Sequence, residues 1–450
     1  MKDNSLFPQV EQLINEQQIS LWIPLLSRPI VLDIIRSVLD EQRTEWKKNH
    51  STIEKEYLLQ KITSSCRLNQ QRHINRVINA TGVIIHTNLG RSPISTSVWD
   101  KVALLNTRYA NVEYDIDSGK RGIRNSTISS LLSHLSHSEG GMVVNNNASA
   151  LYMVLFHFAR GKEVIVSRSE LVQIGGGFRI PEIMKDAGAK LVEVGTTNIT
   201  TANDYLEAIS ENTAIILKVH RSNFALRGFT KEVGIKELAS IIPSHILLIS
   251  DQGSGMPLNG YPGETSVAQH IKEGADLVTF SGDKVLSSAQ SGCIVGKEKY
   301  INSLLKCPIY RVLRPGKTIL TILEQTLIEY LNGNKGHALD SINRSIEEML
   351  HVANHILKNF ETSTFSIVES FMTLGGGSSP DEKSPDISIC ISSDYSTTEV
   401  TRYLRNREIP IITTVDNRGV LLHVSTIFED EIEIIKQALQ EIIEKIPCTS

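Results

Sequence analysis

Seven short runs of β-branched and aliphatic residues, set at the spacing of a crossover connection, constrain this chain more than any other feature. Met142–Val144, Val164–Val166, Leu191–Val194, Ala214–Val219, Ile246–Ile249, Leu277–Phe280 and Cys293–Val295 read as strands, and most successive starts lie 22 to 32 residues apart. That leaves room for a helix to return the chain to a parallel neighbour. Between about Asn79 and Gly296 the pattern predicts a doubly wound, mostly parallel α/β sheet. The last two runs are closer together, so the final strand is expected to be antiparallel, at an edge.

The flanks read differently. Ile30, Val31, Ile34, Ile35, Val38 and Leu39 recur at three- and four-residue steps with Asp33, Arg36 and Asp40 between them, which predicts helices from Val10 to about Ile62. The polar run Glu45 to Glu56, with Lys47, Lys48 and Lys55, is a solvated helix face or linker, an RNA contact being the functional alternative. After Pro315 come helices at Lys317–Asn332 and Ile342–Asn359, a Gly/Ser/Pro-rich loop from Gly375 to Pro380, a strand at Ile387–Ile391, a helix at Thr397–Asn406, a strand at Val420–Val424 and a closing helix at Asp430–Ile446. The expected division is a helical unit over 1–75, a large α/β domain over 76–325 and a small α+β domain over 326–450.

Composition narrows the class. Lys and Arg total 46 against 50 Asp and Glu in 450 residues, which excludes an overall polycation while leaving room for a local basic patch. No uncharged apolar run reaches the 18 or so residues of a spanning helix, the nearest being the Pro-interrupted Leu238–Ser250, so no membrane span is expected. Met1 to Ser5 carries no secretory pattern. Five scattered cysteines without Cys-x-x-Cys spacing argue against a disulfide framework or a zinc site. A reducing, cytoplasmic setting is expected.

Three strand ends and a set of arginines carry candidate chemistry. Val144 runs into Asn145-Asn146-Asn147-Ala148 at the start of a helix, an arrangement that offers free amides to a phosphate or is a plain Asn N-cap. Asp251 follows the strand Ile246–Ile249, where a carboxylate can hold a pyridinium nitrogen protonated or simply cap a turn. Lys284 stands in Ser281-Gly282-Asp283-Lys284 just past a buried strand, where desolvation frees an amine for a Schiff base. An isolated lysine is more often a surface charge, but the Asp251 and Lys284 succession supplies the parts that pyridoxal phosphate requires. Arg91, Arg121, Arg124, Arg311 and Arg314 lie near turns and suit phosphate or carboxylate groups, although singly each fits a surface ion pair. Gly175-Gly176-Gly177 lacks both nucleotide-loop registers. His86, His220 and His423 have no metal-ligand spacing and are read as structural.

Read as motifs, Ile78-Asn79-Ala80-Thr81-Gly82, His86-Thr87-Asn88-Leu89-Gly90-Arg91, Val144-Asn145-Asn146-Asn147-Ala148, Ile174-Gly175-Gly176 with Phe178-Arg179-Ile180-Pro181, Val194-Gly195-Thr196-Thr197-Asn198 and Phe280-Ser281-Gly282-Asp283-Lys284 resemble the bacterial selenocysteine synthases, the L-seryl-tRNA(Sec) selenium transferases. The resemblance covers nearly the whole chain. It implies a fold-type I pyridoxal-phosphate enzyme that turns L-seryl-tRNA(Sec) into L-selenocysteyl-tRNA(Sec) with selenophosphate, through a cofactor-bound dehydroalanyl-tRNA. Lys284 would carry the cofactor and act as general base, with Asp283 assisting proton transfer. Asp251, Asn146, Asn147, Ala148 and Ser281 would complete the cofactor site, with the arginines as candidates for the selenophosphate anion. A ring-like homo-oligomer built of dimers, such as a decamer, and an N-terminal domain that grips tRNA are also implied. Seven positions depart from the usual wording: Ser169 for Gly, Gln173 for Glu, Gln252 for Leu, Ser287-Ser288-Ala289 for Gly-Gly-Pro, and Ser425 for Arg. The alternatives are a paralogous lyase acting on a small phosphorylated amino acid, and a tRNA- or cofactor-binding protein without turnover.

Overall fold

The computed structural model describes all residues except 1–6, 50–53, 123, 125, 172, 175–177, 221–227, 258–263, 361–363, 376–382 and 448–450. The Gly175–Gly177 run and most of the Gly375–Pro380 loop therefore lie outside the described residues. The chain divides into two compact units, one formed by 1–77 with 408–410 and the other by 78–407 with 411–450.

The first unit is helical. Its long helix Arg28–Asn49 buries Val31, Ile35, Val38 and Leu39 along one face, the three- and four-residue spacing that puts side chains on one stripe. Helix Lys55–Gln70 answers with Leu58, Leu59, Ile62 and Cys66. Lys47 and Lys48 sit in the last turn of the long helix, where positive charge complements the exposed carbonyls.

The second unit holds two sheets. We label the strands of the larger one in chain order: β1 Gly140–Val144, β2 Glu163–Ser167, β3 Lys190–Val194, β4 Thr213–Val219, β5 Leu247–Gly253, β6 Leu277–Ser281 and β7 Gly292–Gly296. Their spatial order is β1-β7-β6-β5-β4-β2-β3. All seven expected strands are present, and β6, β5, β4, β2 and β3 run parallel. β7 is antiparallel to both neighbours, as expected, but it is not at an edge, because β1 pairs along its far side. β1, β5, β6 and β7 are buried nearly throughout, which explains their unbroken apolar runs.

The second sheet has six strands, in the order Ile78–Ala80, Ile411–Asp416, Gly419–His423, Ser384–Ser392, Phe365–Gly375 and Val83–Ile85. Two of its members thus come from the segment just before the large sheet. The expected helix Ile342–Asn359 is two helices, Gly336–Ile342 and Ile346–Leu357, separated where Ser345 caps the second through a reciprocal bond with Glu348. Among the described residues no helix is long and apolar enough to cross a membrane, and no cluster of His, Cys, Asp or Glu could hold a metal ion.

Candidate active site

The site is built at the carboxyl ends of β5 and β6 and at the turn after β1, where open α/β sheets bind ligands. β5 runs further than its apolar run suggests, so Asp251 lies inside the strand, paired in register with Thr279 of β6. Its carboxylate Oδ1 accepts from Asn147 Nδ2 at 2.7 Å and from Thr279 Oγ1 at 3.0 Å. Burial pushes the Asp251 carboxyl above the usual range, while those two donors and the nearby charges of Lys284 and His220 oppose the shift. A second carboxyl oxygen is left for a ligand.

The turn after β1 is an Asn N-cap, and it leaves the phosphate reading open. Asn146 is an N-cap, its side chain accepting from the Ser149 amide at 2.8 Å. The first amides of helix Asn147–Phe158, at Asn147 and Ala148, have no intrahelical acceptor and stay available for an anion. The close approach of this turn to β7 requires a glycine, since a Cβ at Gly292 would stand 2.1 Å from the Asn146 carbonyl oxygen.

β6 ends at the buried Ser281, and Lys284 follows in a tight turn. Desolvation lowers the Lys284 amine below its usual value and Arg91 adds to the effect, while Asp251, Asp283 and Glu264 work against it. Asp283 Oδ2 receives Arg91 Nη1 at 2.6 Å, and its carbonyl receives the Ser92 amide at 3.3 Å. Next to Asp251 in β5, Gln252 is fully buried, its amide nitrogen donating to Ser254 Oγ and the Thr265 carbonyl and its oxygen accepting from the Gly255 amide. Ser254 in turn donates to Glu264 at 2.8 Å. The departure at 252 thus completes a polar network.

Ten buried side-chain polar atoms lack a hydrogen-bond partner among the described residues, and four belong to this site: Asn147 Oδ1, His220 Nδ1, Asp283 Oδ1 and Ser288 Oγ. Buried polar groups are normally satisfied, so four unpartnered atoms at one place single it out as the candidate ligand site. His220, read above as structural, lies beside this site: it directly follows β4, its amide donates to the Asp251 carbonyl at 3.0 Å, and Nε2 lies 3.6 Å from Glu264. Sequence reasoning also missed Thr279, whose signal is its register opposite Asp251.

The arginines divide. Arg91 alone of the five touches the lysine motif. Arg121, Arg124 and Arg314 converge on Glu113, at 2.8, 2.7 and 3.0 Å, and hold its carboxyl below the usual range, the Arg124 bond first. Arg311 joins them around a cavity of about 300 Å³. The short helix carrying Arg311 is tied to the phosphate-type turn by the Asn145 amide, which donates to the Leu313 carbonyl at 2.9 Å.

The other departures are accommodated locally. Ser169 Oγ bonds Ser167 Oγ at 2.8 Å, and Ser167 bonds Thr200. Gln173 pairs with Arg179 through the backbone. Ala289 packs in a small apolar cluster with Val98, Val102 and Ile322. Ser425 Oγ donates to the buried Asp386 at 2.9 Å.

With this geometry in hand, comparison with known proteins is decisive. The family model described as L-seryl-tRNA selenium transferase matches residues 77–428. The chain belongs to that family. It is 44% identical over 438 residues to the L-seryl-tRNA(Sec) selenium transferase of a Clostridium perfringens strain, covering 93% of this chain and 94% of the relative. A relative of the same name from Caldanaerobacter subterraneus subsp. tengcongensis is 38% identical over 448 residues, 97% of each chain. Among solved structures, a D-glucosaminate-6-phosphate ammonia-lyase superposes with a TM-score of 0.63 at 22% identity, over 84% of this chain and 98% of that one. That likeness speaks for the fold, which is the fold-type I architecture of pyridoxal-phosphate enzymes with a helical N-terminal unit added.

Proposed function

We propose that this protein converts L-seryl-tRNA(Sec) to L-selenocysteyl-tRNA(Sec), with pyridoxal 5'-phosphate as cofactor and selenophosphate as selenium donor. The observation that carries the reading is the juxtaposition of Asp251 in β5 with Lys284 in the turn that follows the adjacent strand β6, ringed by unsatisfied buried polar atoms, in a chain that belongs to the selenium transferase family. The residues fit the cofactor. Lys284 would bind it covalently, Asp251 would hold its ring nitrogen, the amides of Asn147 and Ala148 would take its phosphate, and Ser281 and Asn146 shape the site. When bound, the group supplies an electron sink for the charge that develops at the serine α-carbon.

The chain's own groups do the rest. A Lys284 amine with a depressed pKa is neutral more often at physiological pH, so it can remove the α-proton as a general base. Asp283 has one oxygen fixed by Arg91 and one unpartnered, an arrangement suited to relaying the proton that Lys284 removes to the serine hydroxyl, which departs as water. Arg91, Arg311 and Arg314, with Arg121 and Arg124 behind them, supply guanidinium forks for the selenophosphate anion. The N-terminal helical unit grips the tRNA, and the protein works as a homo-oligomer built of dimers. Four described cysteines are buried and unpaired, in keeping with a reducing cytoplasm.

The test follows the aminoacyl group of seryl-tRNA(Sec) by mass spectrometry after incubation with the purified holoenzyme, with and without selenophosphate. The expected result is selenocysteine only when selenophosphate is present, abolished in Lys284→Ala. Unchanged serine from cofactor-loaded protein overturns the transferase and directs the search to small phosphorylated amino acids.

A further inference from the structure

We propose that Ser287 is a positioning residue for Lys284, a hydroxyl clip that locks the lysine turn against the Arg91 turn. Ser287 has φ of 54°, in the left-handed region that glycine adopts freely and other residues enter only when their surroundings hold them there. Glycine is the residue this backbone suits, so the serine side chain is the feature that needs an account.

Its hydrogen bonds provide one. Ser287 Oγ accepts from Ser92 Oγ at 2.8 Å and from the Ala338 amide at 2.9 Å, and donates to the Val285 carbonyl at 3.3 Å. Two acceptor positions and the one proton are all in use. The Ser287 amide itself donates to the Lys284 carbonyl at 3.0 Å. Ser287 is buried, at 3% exposure, so water does not compete for these bonds.

Each partner matters for the chemistry. Ser92 follows Arg91, and its amide already donates to the Asp283 carbonyl. The two turns are therefore joined three times: Arg91 to the Asp283 carboxylate, the Ser92 amide to the Asp283 carbonyl, and Ser92 Oγ to Ser287 Oγ. Ala338 lies in the first turn of helix Gly336–Ile342, where amides lack intrahelical acceptors, so the same hydroxyl also satisfies a helix end. On the other side, the Gly282 amide donates to the Ser291 carbonyl, the Ser288 amide to the Gly282 carbonyl, and Tyr330 to the Val285 carbonyl. Lys284 is thus fixed at its backbone and moves only through its side chain. Removing the hydroxyl frees the turn on the side that faces Arg91 and Asp283.

The inference rests on Lys284 being the lysine that carries the cofactor, and the test separates the two. Purified holoenzymes of wild type, Ser287→Gly, Ser92→Ala, the double variant and Lys284→Ala are compared by the visible cofactor absorption band and by kcat and KM for seryl-tRNA. Ser287→Gly relieves the backbone and removes the hydroxyl, so it reports the clip without a folding penalty from strain. Its kcat is expected to fall about tenfold with KM changed less than twofold, and its band to shift. Ser92→Ala should move both in the same direction by less, and the double variant should match Ser287→Gly. Wild-type kcat and band in Ser287→Gly, or losses that multiply in the double variant, overturn the clip. A wild type with no band, or a band that survives in Lys284→Ala, overturns the cofactor reading and the clip with it.

Discussion

Asp251 and Asp386 are both buried carboxylates near strand ends of the same compact unit, yet their surroundings differ in a way that separates function from structure. Asp386 Oδ1 accepts from the amides of Ile387 and Ser425, at 2.8 and 3.3 Å, and Oδ2 from His423 Nδ1 and Ser425 Oγ, at 2.8 and 2.9 Å. The other ring nitrogen of His423 shares a hydrogen bond with Thr414 Oγ1 at 2.9 Å. Every lone pair has a donor, and the His423 ring is packed so closely on the Asn79-Ala80-Thr81-Gly82 turn that a Cβ at Gly82 would lie 2.5 Å from it. Asp251 instead accepts two bonds on one oxygen, sits among unsatisfied atoms and faces a lysine with a depressed pKa. A buried charge whose donors are complete holds a fold together, whereas one left incomplete keeps an acceptor position that a ligand could fill, which is the role proposed for Asp251.

The sharpest break of this comparison is at the incomplete site. Lys284→Ala should lower transferase activity about 1000-fold or more and abolish the cofactor band, with thermal stability unchanged or higher, because a desolvated amine is removed. Retained activity would place the chemistry elsewhere. Asp251→Asn should cost about 100-fold in kcat/KM and weaken cofactor binding, yet stabilise the cofactor-free protein by about 1–2 kcal/mol at neutral pH. The sign follows from proton linkage. Burial raises the Asp251 pKa in the folded state, so the folded protein binds more protons than the unfolded one between the unfolded value and that raised value, and stability falls as pH rises through the window. The gain from asparagine should therefore appear as pH rises through that window and vanish at acid pH, where aspartate is protonated in both states. Denaturant titrations of both cofactor-free proteins at several pH values measure it, and a gain that persists at acid pH would contradict the assignment.

Much of this was legible beforehand, for identifiable reasons. Strands buried on both faces leave unbroken apolar runs, so all seven members of the large sheet could be read, and Asp251 and Lys284 stood out because they end two of them. Strand order is not encoded in periodicity. The short link from β6 to β7 revealed an antiparallel pair but not the pairing of β7 with β1, some 150 residues earlier. The smaller sheet was harder still. Phe365–Gly375 alternates exposed and buried positions imperfectly, and its neighbour Val83–Ile85 lies far upstream. The arginines were visible as a class, but Glu113, which gathers three of them, is one acid among many in the sequence. Thr279 and Ser92 matter only through register and contact, and the folded chain alone supplies those.

At the complete site the expected loss is in stability. In Asp386→Asn an amide nitrogen replaces one carboxylate oxygen, and wherever it points it confronts N–H or O–H donors from Ile387, His423 or Ser425. The cost should be about 2–4 kcal/mol, read as a lower denaturation midpoint, while the cofactor band of the protein that remains folded keeps its position. A displaced band at unchanged stability would show that this carboxylate also serves the ligand and would erase the contrast.

The smallest effect is the most informative about the arginines. Arg121 and Arg314 share Glu113, but the Arg121 side chain is 74% exposed and that of Arg314 31%. An exposed ion pair contributes little, since water and salt screen it and both side chains lose freedom to form it. Arg121→Ala should therefore change stability by less than about 0.5 kcal/mol and the KM for selenophosphate by less than about threefold. Arg314, partly desolvated and next to the Pro315 carbonyl that Arg124 binds, should raise that KM about tenfold or more when replaced by alanine. Equal effects from the two would mean that the cluster acts through its summed charge, which raised salt would then suppress in both variants alike. Unequal effects with little salt dependence would mean that the anion is held by particular forks, and would extend the contrast between prepared and completed charge from the carboxylates to the guanidinium groups.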